Sequence, residues 1–104
     1  MRQVVNTMKA LSSENRLRML NLLLVRDCCI YEVTRALGIS QPQVSRDLGT
    51  LFDVGILKRR RERTRVIYTV DTKANPEIIK IIKEVLGNNS VAKGDRERLL
   101  QINK

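Results

Sequence analysis

The stretch 40–55 carries polar side chains of the types that bind base edges and phosphates. Glutamine and serine both donate and accept hydrogen bonds, and arginine can donate two parallel bonds to a guanine or a phosphate. In a helix over this stretch, most of these groups would lie outside the apolar face and stay free to contact a major groove. An ordinary surface helix with a polar outer side explains the same pattern. The candidate contacts are Gln41, Pro42, Gln43, Ser45, Arg46 and Thr50.

A second segment, residues 58–65, holds six basic residues and one acidic residue, a net charge of +5. A charge run of this kind is often a solvated tail. Here it lies between two strand-like runs, 56–60 and 65–70, which favours a hairpin whose arginines face solvent or phosphates. A membrane surface is a weaker alternative, because the chain has one Phe and no Trp to anchor a basic helix. The candidate DNA contacts of the hairpin are Arg59, Arg61, Arg63 and Arg65.

The two cysteines, Cys28 and Cys29, are adjacent and therefore do not indicate a disulfide framework. In a strand their side chains would point to opposite faces, so the two thiols cannot easily hold one ion. A tetrahedral zinc site needs about four ligands, and the chain has no histidine to supply them. Two interpretations stay open: the cysteines are small buried apolar residues, or they sense arsenite, a soft metal ion or an oxidant.

The sequence around these residues predicts the elements that position them. Ser40 and Gln43 form the capping box of a helix with Pro42 in its first turn, and Gly55 ends that helix in the left-handed conformation. A short amphipathic helix over 32–37, closed by glycine, comes before it. Helix, tight turn and helix, followed by a hairpin, are typical of a winged helix-turn-helix. We therefore predict a mainly α fold with a small β-hairpin wing.

Apolar periodicity predicts three further helices, over residues 3–11, 14–25 and 76–86. Ser12 and Ser13 can cap the second of them, and Asn75 caps the third. The third carries more apolar surface than one core contact explains, which favours a partner helix. We assign residues 1–87 to one domain that binds DNA and dimerises. Residues 88–104 are expected to be a polar, weakly organised C-terminal extension, with at most a turn or two of helix over 95–101.

Four blocks of the sequence resemble the ArsR/SmtB family of winged-helix transcriptional repressors of bacteria and archaea: 11–20, 40–48, 55–57 and 66–68. The resemblance covers residues 4–86. It implies a repressor that binds a palindromic double-stranded DNA operator as a homodimer, paired through the N-terminal helix and helix 76–86. From the sequence alone, packing of the N-terminal helix on its own core is an equally good interpretation.

The same resemblance bears on the cysteines, because thiolate sensors of the family carry a Cys-x-Cys at this place. Cys29 matches the first cysteine of that motif, Tyr31 stands at the position of the second, and Cys28 is an addition. The motif is therefore broken. The family's other metal site needs histidine on helix 76–86 and cannot be carried over. The ligand that the resemblance suggests is arsenite or a soft metal ion at Cys28 and Cys29.

Composition limits the remaining possibilities. The 104 residues suit one domain, and a net charge of +9 favours a polyanionic partner. Without histidine, a glycine-rich phosphate loop or a paired nucleophile and base, we do not expect an enzyme. No signal peptide or membrane span is evident, so a cytoplasmic protein is expected. The alternatives are a sequence-indifferent DNA- or RNA-binding protein, a protein-assembly module, and an ArsR-like regulator with no metal or thiol inducer.

Overall fold

The computed structural model describes residues 1–102, and within them the chain forms six helices and three strands. In chain order these are α1 (Arg2–Leu11), α2 (Glu14–Val25), β1 (Cys28–Cys29), α3 (Ile30–Leu37), α4 (Gln41–Asp53), β2 (Leu57–Glu62), β3 (Arg65–Val70), α5 (Pro76–Gly87) and α6 (Ser90–Leu100). The predicted mainly α fold with a hairpin wing is confirmed, and the four helices predicted up to residue 55 all form within a few residues of their expected bounds.

The three strands form one antiparallel sheet in the order β1-β3-β2. The hairpin pairs Leu57 with Val70 at its base and Glu62 with Arg65 at its tip. This register leaves a two-residue loop whose first residue, Arg63, has a φ of 60°. A positive φ at this position is typical of the turns that match strand twist in tight hairpins. The basic segment 58–65 is therefore an ordered wing rather than a solvated tail.

The core forms around α2, which packs against the first, third and fourth helices and against the sheet. Met19, Leu20 and Leu22 of α2 are fully buried, as are Val33 of α3 and Leu48 of α4. Burying each of these side chains contributes about 1.5–3 kcal/mol to folding. This burial holds α3 and α4 in a fixed mutual orientation, and that orientation determines what α4 can present to a partner.

Side-chain caps explain where α2, α4 and α6 begin. Ser13 caps α2 and Ser40 caps α4, each accepting a hydrogen bond from a backbone N–H three residues on. Two predicted caps are wrong. Gln43 does not complete the capping box of α4, because its amide is bound to Asp47 instead. Asn75 precedes α5 but makes no side-chain cap.

The expectation of a weakly organised segment after residue 87 is also wrong for the described residues. Helix α6 packs on α2 and α3, and its Ala92, Asp95 and Leu99 are buried. Asn89 caps it through a hydrogen bond from the Ala92 N–H. The low apolar content of this segment concealed its fold, because much of its attachment is polar: Asp95 pairs with Arg18 of α2, and Arg98 donates to the Ala36 carbonyl oxygen of α3. Residues 103–104 of the predicted extension lie outside the described residues.

Candidate nucleic-acid interface

The turn between α3 and α4 places the amino-terminal half of α4 at the surface. Gly38 ends α3 with a φ of 67°, which favours glycine because other residues are strained there. The apolar face of α4 is buried against the core through Val44, Leu48 and Leu51. The polar residues predicted to contact DNA therefore lie on the open side: Gln41, Pro42, Ser45 and Arg46 are exposed, and Gln43 and Thr50 are half-buried.

Two of these side chains are already engaged within the helix. The Gln43 amide nitrogen donates to Asp47 Oδ2 at 2.8 Å, and the Gln43 carbonyl oxygen accepts from Arg46 Nη2 at 2.7 Å. Asp47 Oδ1 accepts in turn from Arg16 Nη1 of α2 at 3.2 Å. Gln43 and Arg46 are thus presented together, in one arrangement, at the surface of α4.

Thr50 is less free than its sequence position suggests. Its hydroxyl donates to the Arg46 carbonyl oxygen one turn earlier, at 3.1 Å. The hydroxyl oxygen can still accept a bond, but the donor is used by the helix. Thr50 therefore suits a van der Waals or acceptor contact rather than donation to a phosphate.

The wing presents its basic residues along both strands. Arg61, Arg63 and Arg65 are exposed near the hairpin tip. Arg59 lies over the ring of Phe52 of α4, with 3.8 Å from its guanidinium carbon to the ring centroid. This cation–π contact fixes the base of the wing against the end of α4.

Arg60 differs from the other wing arginines because two acids hold it. Its Nη1 lies 3.0 Å from Asp27 Oδ2 and its Nη2 lies 3.3 Å from Glu62 Oε2. The hydrogen bond with Asp27 raises the pKa of Arg60 further above its ordinary value. Arg60, which is not among the predicted DNA contacts, thus ties the wing to the residue before β1.

Cys28 and Cys29 form β1, and both are buried. Burial raises the pKa of the Cys28 thiol from 9.0 to about 12, with the nearby Glu32 carboxylate adding to the effect. Cys28 therefore stays a neutral thiol at physiological pH and is a poor ligand or nucleophile. Cys29 pairs with Ile67 in the sheet, and its Sγ lies 3.8 Å from Arg65 Nη1 of the wing.

The donor set around the cysteines does not fit a tetrahedral zinc ion. Over residues 1–102 no three or more Cys, Asp or Glu side chains are grouped so that they could hold a metal. The nearest carboxylate, Glu32, accepts hydrogen bonds from the Cys29 N–H at 3.0 Å and from Arg26 at 3.0 Å. Burial alone would raise the pKa of Glu32, but these hydrogen bonds lower it overall. Glu32 therefore acts as the cap of α3.

Helices α1 and α5 each expose several apolar side chains, as α6 also does at Val91 and Leu100. On α1 these are Val4, Val5 and Met8, and on α5 they are Ile81 and Val85. Val85 is 65% exposed although the inner face of the same helix is buried through Ile79 and Ile82. Clustered exposed apolar residues of this kind mark interaction surfaces. Within the described part of the chain, no helix has the length and apolarity to cross a bilayer.

The sequence analysis did not identify Arg16 and Asp47 as residues that support the candidate interface, although the position of Asp47 in the sequence indicates that it is buried. Asp47 falls at helical spacing among Val44, Leu48 and Leu51, and it is buried with them. A buried carboxylate requires a charged or hydrogen-bonding partner. An acid on the apolar face of the helix therefore predicts such a partner, but no local pattern indicates that Arg16, on another helix, supplies it.

The chain folds as a helix, a turn, a second helix and a wing, with polar and basic groups on the exposed sides of α4 and the hairpin. This arrangement defines a winged helix-turn-helix protein. Residues 13–59 match the family model described as "Bacterial regulatory protein, arsR family". Solved structures of other proteins share the fold. A homodimeric winged helix-turn-helix DNA-binding domain of Mycobacterium bovis has a TM-score of 0.74 and 26% identity, covering 86% of this chain and 82% of that one. HlyU of Vibrio cholerae has a TM-score of 0.73 and 27% identity, covering 81% and 91%.

Sequence relatives agree with these structures. An arsenic resistance transcriptional regulator of Pseudomonas putida is 36% identical over 83 residues, which are 78% of this chain and 64% of the relative. A biofilm growth-associated repressor of Xylella fastidiosa is 33% identical over 66 residues, 64% of this chain and 58% of the relative. The chain is similar to the ArsR family of bacterial regulatory proteins over residues 13–59, the span that matches the family model. It spans under two thirds of these two relatives. By their names, these relatives are a transcriptional regulator and a repressor.

Proposed function

We propose that this protein is a transcriptional repressor that binds a palindromic operator as a homodimer. The observation that carries the proposal is the exposed polar surface of α4, where Gln43 and Arg46 are presented in one arrangement beside a basic wing. Side chains of these types form bidentate bonds with adenine and guanine in the major groove. The wing arginines supply phosphate contacts that position the helix. Similarity to a family of regulators supports the same role.

The exposed apolar residues of α1 and α5 support the homodimer. In a winged-helix dimer, two recognition helices meet successive major grooves about one helical turn apart, ~34 Å. The domain of Mycobacterium bovis, which shares this fold, is described as homodimeric. We therefore assign Val4, Val5 and Met8 of α1 and Ile81 and Val85 of α5 to the interface between two copies of this chain.

A sequence-indifferent nucleic-acid-binding protein is the main competing interpretation. Such a protein would rely on the wing charges alone, because phosphate contacts carry no base information. The hydrogen-bonded pair of Gln43 and Arg46 favours base recognition, since a purely electrostatic surface does not need its side chains held in one arrangement. The two interpretations predict different consequences for single substitutions on α4 and on the wing.

Arg46→Ala and Arg61→Ala are expected to weaken operator binding in different ways. Arg46→Ala should cost about 1–3 kcal/mol and relax the preference at one operator position, because it removes a base contact. Arg61→Ala should weaken all sequences alike and lower the slope of log affinity against log salt by about one unit, because it removes a phosphate contact. Titrations of an operator and its single-base variants at several salt concentrations measure both quantities.

Arg60→Ala provides a matched control within the wing, because Asp27 and Glu62 already engage that guanidinium. It should change the salt slope less than Arg61→Ala does. A wing substitution that alters base preference, together with an Arg46→Ala protein that keeps it, would reverse the assignment of the two surfaces.

As a second proposal, we infer that a thiol-reactive signal acts at Cys29. Cys28 is less suitable because its raised pKa keeps it a neutral thiol, and its Sγ donates to the Arg26 carbonyl oxygen at 3.4 Å. Cys29 lies 3.8 Å from Arg65 of the wing and directly precedes α3. A modified Cys29 would thus disturb both a wing arginine and the first helix of the helix-turn-helix. The agents to test are arsenite, a soft metal ion and an oxidant.

The thiol proposal predicts that arsenite, cadmium or peroxide lowers the operator affinity of the wild-type protein by about 5- to 150-fold, a typical allosteric coupling. Cys29→Ser should remove the response, and Cys28→Ser should leave part of it. Wild-type protein that keeps its affinity under all three agents would show that the cysteines only pack. A response that depends on Cys28 alone would show that the wrong thiol was assigned.

A further inference from the structure

Asp47 occupies an unusual position for a carboxylate, because it is 4% exposed on a helix whose outer side is proposed to read DNA. Both of its oxygens accept hydrogen bonds. Oδ1 accepts from Arg16 Nη1 at 3.2 Å, and Oδ2 accepts from Gln43 Nε2 at 2.8 Å. The carboxylate therefore joins a core helix to one of the candidate base-reading side chains.

The partners of Gln43 fix which way its amide points. A carboxylate only accepts hydrogen bonds and a guanidinium only donates them. With Asp47 on one side and Arg46 on the other, the NH₂ group of Gln43 must face Asp47 and its oxygen must face Arg46. Reversing the amide would place an oxygen against the carboxylate and an NH₂ group against the guanidinium, which would break both bonds.

Arg16 anchors this arrangement to the rest of the protein. Its Nε donates to the Ala10 carbonyl oxygen at 2.6 Å and its Nη2 to the Lys9 carbonyl oxygen at 3.4 Å, both in the last turn of α1. These carbonyls lie where a helix leaves acceptors without helical partners. A continuous series of hydrogen bonds thus runs from the end of α1 through Arg16, Asp47 and Gln43 to Arg46.

We propose that Asp47 is a positioning residue that determines base preference by holding Gln43, and through it Arg46, in the reading arrangement. Asp47 does not itself reach the DNA, since it is buried behind Gln43. The proposal rests on the proposed function, because it assumes that Gln43 and Arg46 contact bases. It goes beyond that function by assigning part of the specificity to a side chain without a DNA contact.

Asp47→Asn is the informative substitution, because it is nearly isosteric and changes only the hydrogen-bonding pattern. The introduced amide would turn its oxygen to Arg16 and its NH₂ group to Gln43, and Gln43 would have to reverse its own amide to accept. The reversed amide would repel Arg46. We expect the preference at the operator position read by this pair to fall by about fivefold or more, with an unchanged salt slope. Asp53→Asn, a change to an exposed acid on the same helix, is the matched control and should keep the preference.

Arg16→Lys distinguishes a positioning role of Asp47 from a general loss of protein stability. It weakens the other hydrogen bond of Asp47 but leaves Asp47 and Gln43 in place, so it should lower stability while the base preference stays. If Arg16→Lys changes the preference as much as Asp47→Asn does, a shift of the whole helix is responsible and the proposal fails. If the wild type discriminates between operator variants and Asp47→Asn discriminates equally well, the positioning role is wrong while the proposed function stands. An unselective wild type would overturn both.

A measurement on the wild-type protein without DNA keeps the proposal testable even if Asp47→Asn does not fold. The side-chain amide protons of Gln43 should exchange more slowly with solvent, measured by NMR, than those of Gln41, which is exposed on the same helix. Equal exchange rates for Gln43 and Gln41 would show that the amide is not held by Asp47 and would overturn the proposal.

Discussion

Asp95→Ala is expected to lower the free energy of unfolding by about 3 kcal/mol and Tm by about 10–20 °C. Asp95 is completely buried on α6, and its carboxylate accepts from Arg18 Nε at 2.8 Å and Nη2 at 3.0 Å and from Arg98. Its hydrogen bonds with Arg18 raise the pKa of that guanidinium. Removing the carboxylate leaves the Arg18 charge near the core without its partner. Because the Arg18 side chain is 21% exposed, the decrease in the free energy of unfolding should lie at the low end of the range for removing one partner of a buried ion pair.

Glu97→Ala is the control for this experiment, since it removes the same charge from an exposed position on the same helix. It should change the free energy of unfolding by no more than about 0.5 kcal/mol. Thermal and urea unfolding followed by circular dichroism measure both variants. An Asp95→Ala protein as stable as the wild type would show that α6 contributes little to the fold, contrary to its packing here.

The second large effect is expected at the proposed dimer interface. Val85→Glu should shift the protein to a monomer and lower its operator affinity by about 1,000-fold or more, towards the level of non-specific binding. A monomer contacts one half-site only, and a buried carboxylate without a partner is costly in an apolar interface. Because Val85 is 65% exposed in the single chain, the substitution should leave the fold of the chain intact. Sedimentation at micromolar concentration and a DNA titration measure the two outcomes.

Lys83→Gln is the matched control, because it makes the same change of charge at an exposed position on another side of α5. It should remain dimeric and lose only the affinity that one charge contributes. A Val85→Glu protein that stays dimeric would place the interface elsewhere, and a wild type that is monomeric with and without DNA would contradict the homodimer altogether.

Local features of the sequence were sufficient to predict much of the fold. Apolar spacing, the Ser40 cap and the two strand-like runs around the basic segment predicted α4 and the wing, since these features act over a few residues. The left-handed Gly55, with a φ of 85°, lies at the end of α4 as expected. These elements carry every predicted DNA contact, so the candidate surface could be located from the sequence, although its individual contacts stay predictions.

The remaining features depend on pairs of residues that are distant in the sequence. Asp95 meets Arg18 from the far end of the chain, and Asp47 meets Arg16 across two helices. Helix α6 is polar in sequence, and part of its attachment depends on such a pair. The contact between Cys29 and Arg65 likewise forms only when the sheet brings β1 beside the wing. Apolar periodicity indicates which face of a helix is buried, but it does not indicate which residue of another element packs against that face.

Selection of binding sites from random-sequence duplex DNA tests the central claim most directly. If the protein is a homodimeric, sequence-specific repressor, the enriched DNA should share one motif made of two inverted half-sites whose centres are about one helical turn apart. The same protein should bind that motif about 1,000-fold or more tightly than unrelated DNA at physiological salt. Enriched DNA with no common motif, or with a single unrepeated half-site, would contradict a homodimeric, sequence-specific repressor.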